Sequence, residues 1–97
     1  MTDEPEVLEA DWDPEQVAAL LDDLQSGAIV KHIQVRIKGD SGTQELSTTL
    51  EQAKKYCETG HAKAIQIRYE YDGQLWCDTL LFNPDSVRVI RTTLPSE

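Results

Sequence analysis

Cys57 and His61 stand four residues apart, and Cys77 and His32 complete the chain's supply of thiols and imidazoles. These are the groups a structural zinc prefers, and four of them would close its shell. The spacing opposes that use, because Gly60 ends a helix between Cys57 and His61 and no Cys-x-x-Cys is present. Cys57 beside Tyr56 reads as core, and Cys77 as a small half-buried residue. Asp78 is a second candidate. A tight turn at Asp72-Gly73 sets Ile67 opposite Asp78, with Trp76 and Leu80 on the same face. A carboxylate there needs a partner such as Arg91, an outward register, or a raised pKa as a ligand contact or general base beside Trp76. An acid without a partnering base or nucleophile does not define a reaction, so no catalytic residue, metal ligand or cofactor is assigned.

Gly39-Asp40-Ser41-Gly42 resembles the nucleophile sequence of trypsin-like proteases over four residues. That family continues with another Gly, where Thr43 follows here, and a chain of 97 residues cannot build the double β-barrel that positions such a nucleophile. The residues read as a solvent-exposed hairpin turn.

A third set lies on one polar sheet face. Arg36, Lys38, Arg68 and Arg88 form an expected basic stripe, over which the acids of residues 1–11 are expected to fold back. Leu75 and Leu81, flanking Cys77 and Thr79 on this face, are more apolar than a wet surface needs and fit a contact with a partner or a second copy. The candidate binding residues are therefore Leu75, Leu81 and Arg68 on one side, with Trp76 and Asp78 on the other.

The elements that hold these residues read as follows. Asp13, Pro14 and Gln16 carry a capping box before an amphipathic helix with Val17, Leu20, Leu21 and Leu24 on one face and Gly27 as a left-handed stop. Trp12 and Val17 are placed for a hydrophobic staple. Residues 28–38 alternate as a strand, with Ile29, Ile33, Val35 and Ile37 inward and only Lys31 breaking the apolar side. A short returning strand begins at Thr43. Thr48 and Glu51 open a second helix that stops at Gly60. Residues 62–71 and 74–82 form the Asp72-Gly73 hairpin, and residues 87–92 make a last strand. The expected fold is α+β, with two helices on one face of a mostly antiparallel sheet of 4–5 strands in the order α-β-(β)-α-β-β-β. The segment from residue 29 to 71 also allows one parallel pair. Residues 1–11 read as an acidic flexible arm and residues 12–97 as a single domain.

The net charge is −9. Residues 1–30 hold nine acids and no Lys or Arg, while the remainder balances nine against nine. Direct nucleic-acid binding is disfavoured, because the acidic segment repels phosphate. No apolar run approaches membrane-spanning length, the start of the chain lacks a secretory pattern, and the expected location is cytoplasmic with no membrane contact. The function expected is a small, non-enzymatic protein-interaction module, an accessory subunit or regulator that binds a protein partner or forms a homodimer. The alternatives are a small-ligand or metal-binding protein using the Trp76/Cys77/Asp78 region, and an acidic mimic of nucleic acid that inhibits a nucleic-acid-binding protein.

Overall fold

The computed structural model describes residues 7–39 and 42–95. Residues 1–6, the larger part of the expected arm, and the turn residues Asp40 and Ser41 lie outside the described residues, as does the side chain of Lys38. The elements are β1 (Val7–Trp12), α1 (Pro14–Gly27), β2 (Ile29–Gly39), β3 (Gly42–Ser47), α2 (Leu50–Thr59), β4 (Ala62–Tyr71), β5 (Gln74–Phe82) and β6 (Val87–Leu94). They form an α+β fold around one six-stranded sheet of order β1-β6-β5-β4-β2-β3, with every neighbouring pair antiparallel.

The first helix starts where its chemistry dictates. Asp13 accepts from the Gln16 backbone N–H at 2.9 Å, and the Gln16 side chain accepts from the Asp13 N–H at 3.0 Å. Val17, Leu20, Leu21 and Leu24 are its buried residues, and Trp12 packs against the same core. Its end differs from expectation: Gly27 remains helical, and Ala28 leaves in extended conformation with its N–H donating to Leu24 O. The chain passes directly into a strand, so no left-handed residue is needed. In α2 the cap is Thr49 rather than Thr48, because the Thr49 hydroxyl accepts from the Gln52 N–H. Gly60 stops this helix with φ +73°, a left-handed conformation that costs a residue without Cβ little.

Both helices pack on one face of the sheet. Their buried side chains join Ile33, Val35, Ile65, Ile67, Tyr69, Leu80, Val87 and Val89 in a single core. Among the described residues no element covers the opposite face.

Three features of the sheet depart from the sequence reading. The sheet has six strands instead of four or five, because residues 7–11, assigned to the arm, pair with β6 from Val7↔Thr92 to Trp12↔Val87. The acids that make this segment look disordered are accommodated by the neighbouring strand, since Arg88 forms ion pairs with Glu9 and, at 3.7 Å, with Asp11. The possible parallel pair is absent, as β2 and β4 run antiparallel. Because β3 reverses the chain before α2, the connection from β2 to β4 contains one more reversal than a simple crossover. Finally, Ile29 points away from the core. The β2–β4 register steps from Val30↔Tyr69 to His32↔Arg68, leaving Lys31 as a bulge. Val30 thereby packs on the core in place of Ile29, which is 57% exposed.

The bulge makes a specific prediction. Deleting Lys31 leaves Val30 inward and His32 outward, so the shortened protein is expected to fold with a urea midpoint near that of the parent. Deleting Gln34 from the same strand reverses the facing of all residues on one side of the cut and is expected to abolish cooperative unfolding.

Candidate functional site

The Asp72-Gly73 turn, with both residues at positive φ, sets the β4–β5 register. The register is the one its two-residue length requires: Tyr71↔Gln74, Tyr69↔Trp76, Ile67↔Asp78 and Ile65↔Leu80. Since alternate side chains face opposite ways, the candidate residues divide between two surfaces.

Trp76 and Asp78 point to the helix side. Asp78 is fully buried, and its register partner on β6 is Arg91. The pair is bidentate: Arg91 Nε donates to Oδ1 and Nη2 to Oδ2, both at 2.9 Å. Tyr69, on β4, directs its hydroxyl between the same two oxygens at 3.1 Å from each. One carboxylate thus joins three consecutive strands, and no buried side-chain polar atom among the described residues is left unpartnered. Burial, and then the Asp78 charge, push the Tyr69 phenol well above its ordinary value. Hydrogen bonding to Asp78 likewise raises Arg91. With both oxygens occupied by protein donors, the arrangement is an internal ion pair with Arg91, the partner named from the sequence.

Cys77 points the other way and is 6% exposed on the open face. The Trp76/Cys77/Asp78 region is consequently divided by the sheet itself. The cysteine–histidine set divides similarly. His32 lies beside Arg68 on the open face, in register with it, and Cys77 is on the other side of Arg68. Cys57 and His61 instead border a groove of about 790 Å³ between α1, α2 and the β5–β6 turn. Among the described residues no cluster of three or more His, Cys, Asp or Glu is arranged to hold a metal ion. The Cys57 thiol is raised from 9.0 to about 11, chiefly by burial and secondarily by Glu58, which disfavours the nucleophilic thiolate. Cys77 is also raised by burial, against a lowering contribution from Arg68.

The open face carries Leu75, Leu81 and Arg68. Its rows can be read directly from the strand register. Ile29, Glu70, Leu75 and Leu94 form one row, and His32, Arg68, Cys77 and Thr92 the next. Gln34, Gln66, Thr79 and Ile90 follow, then Arg36, Ala64, Leu81 and Arg88. Leu75, Leu81 and Ile90 are each half-buried by their neighbours, while Arg68 is exposed. The expected basic stripe is largely neutralised at its margins. Arg36 pairs with Glu45 at 2.6 Å, and Arg88 with Glu9 and Asp11, so two acids of the N-terminal segment do lie against it, held in a strand. Ile29 and Ile90 are members of this surface that the sequence reading omitted: the Lys31 bulge conceals the first, and the second required the β5–β6 register.

Two outcomes are expected from these sites. Asp78→Ala strands the Arg91 guanidinium and the Tyr69 hydroxyl and is expected to cost about 3–5 kcal/mol in urea unfolding, whereas Asp78→Leu combined with Arg91→Met and Tyr69→Phe, which removes all three polar partners, recovers most of it. A loss below about 1 kcal/mol for the single variant would remove the ion pair from the account. The second concerns pH. The unfolded chain releases the Cys57 proton near 9.0 and the folded chain only near 11. The contribution of this thiol to stability is therefore fully present below pH 9.0 and is lost as pH rises toward 11. Tyr69 contributes with the same sign, so the Cys57 share is read by difference: the decline in Cys57→Ala is expected to be shallower than in the parent.

No protein-family model matches this chain, and no curated protein or solved structure matches it either.

Proposed function

We propose that this chain is a non-enzymatic protein-interaction module, an accessory subunit or regulator, whose contact surface is the open face of the sheet. The observation that supports this reading is the one-sided placement of both helices. A six-stranded sheet packed on one side leaves a broad surface on the other, where Leu75, Leu81, Ile90 and Ile29 sit among charged and polar side chains. Apolar side chains in such a surface gain stability by leaving water, and an extended patch of them is characteristic of contact sites. Arg68 adds an exposed guanidinium near the centre of the patch, a residue type common at the anchoring points of interfaces.

The ligand-binding alternative lacks a comparable convergence, since Trp76 and Asp78 are separated from Cys77 by the sheet. Among the described residues no helix is long and apolar enough to cross a membrane.

The test is capture from native lysate on tagged chain at moderate salt, comparing the parent with Leu75→Glu and Leu81→Glu. The reading predicts a stoichiometric protein on the parent that either substitution removes, while circular dichroism shows both variants folded. Identical capture by parent and variants would overturn the assignment of this face.

A further inference from the structure

The charge distribution of the open face points to a particular occupant. Its described side chains include four carboxylates, Glu9, Asp11, Glu45 and Glu70, and three guanidinium groups, Arg36, Arg68 and Arg88. These sum to −1, whereas all the described charged side chains, thirteen carboxylates against eight Lys and Arg, sum to −5, so most of the described excess of negative charge lies off this face. The helix side shows where part of it lies: α1 and its cap carry Asp13, Glu15, Asp22 and Asp23 and no Lys or Arg, with only Asp22 engaged by a lysine, Lys54 of α2. Two copies of this chain repel strongly if they approach through such surfaces. They repel least when the near-neutral faces meet and the acidic helix sides point apart.

We propose that the open face is occupied by a second copy of the chain, giving a symmetric dimer with the two sheets stacked face to face. This inference rests on the reading of that face as the contact surface. The area suits it: six strands, the outer ones short, give a face of roughly 28 by 26 Å, or about 700 Å², from standard strand spacings. Stable interfaces bury about 800 Å² per partner, so the face supplies most of that area and the side chains at its rim must supply the remainder. A two-fold axis lying across the strands near their midpoint sets Leu75 of one copy toward Leu81 of the other, pairing the apolar end of each face with the apolar middle of the last row. Arg68 and Thr79 then lie near the centre, and the Arg36–Glu45 and Arg88–Glu9 pairs form a neutral rim.

The experiment is sedimentation equilibrium of the full chain over a range of concentrations, at low and at high sodium chloride. The proposal expects twice the monomer mass, with a dissociation constant that tightens several-fold from about 50 to about 500 mM salt as the net repulsion is screened. Leu81→Glu is expected to weaken the dimer at least about tenfold. Arg68→Glu, an exposed position that tolerates substitution, makes the face more acidic and is expected to weaken it in the same direction. A monomer at every concentration overturns the second-copy assignment, while the lysate capture separately decides whether the face binds a different protein. A dimer indifferent to both substitutions, or one that salt dissociates, also overturns it.

Discussion

The carboxylate of Asp78 holds the centre of this molecule in register. It accepts from Arg91 on one neighbouring strand and Tyr69 on the other, so three adjacent strands meet at one buried charge. A shift of β5 by one residue would expose the acid on the open face and leave Arg91 and Tyr69 facing Cys77 or Thr79, neither of which can balance the guanidinium charge. Buried ion pairs contribute little net stability over well-packed hydrocarbon, but misplacing one is expensive, and that asymmetry suits them to specifying a single arrangement. The hairpin turn at Asp72-Gly73 specifies the same register locally. Two independent devices thus agree on which residues of β4, β5 and β6 face the helices.

The division between faces follows from that agreement. Ile65, Ile67, Leu80, Val87 and Val89 are committed to the core, and α1 supplies four buried side chains against them. The alternate positions then form the other face, and with only two helices in the described chain both are used on the first side. The bulge at Lys31 extends the same logic into β2. It keeps a lysine out of the core while transferring Val30 inward and Ile29 outward, adding an apolar residue to the open surface. Charge is arranged to match: the arginines of the outer strands are paired across the ladder, so the open face approaches neutrality although the chain does not.

Much of this was legible in the residues. Asp13-Pro14-Gln16 located the first helix start, and the two-residue turn located every partner in the β4–β5 hairpin, including the burial of Asp78. Arg91 was named as one partner that would satisfy it, beside an outward register or a ligand-binding role, and the β5–β6 register is what selects it. The features that were not legible share a cause. Strand β1 has the alternation of Leu8, Ala10 and Trp12, but its acids resemble those of a disordered segment until Arg88 is known to lie beside them. A one-residue bulge leaves no compositional trace, so Lys31 read as a flaw in a regular strand. The choice between Thr48 and Thr49 as cap turns on where the backbone becomes helical, which two adjacent hydroxyls do not reveal. In each case the deciding contact comes from a distant strand or from backbone geometry, and neither is encoded in local pattern.

The central claim is that one sheet face is a packed interior and the other is a contact surface. Its most direct test is methyl-resolved nuclear magnetic resonance of the full chain during serial dilution. The account predicts concentration-dependent shifts confined to Leu75, Leu81, Ile90 and Ile29, with Leu21, Ile67, Leu80 and Val89 unchanged. Shifts centred on the α1–α2 groove, or resonances of the open face that stay fixed while the protein associates, would contradict it.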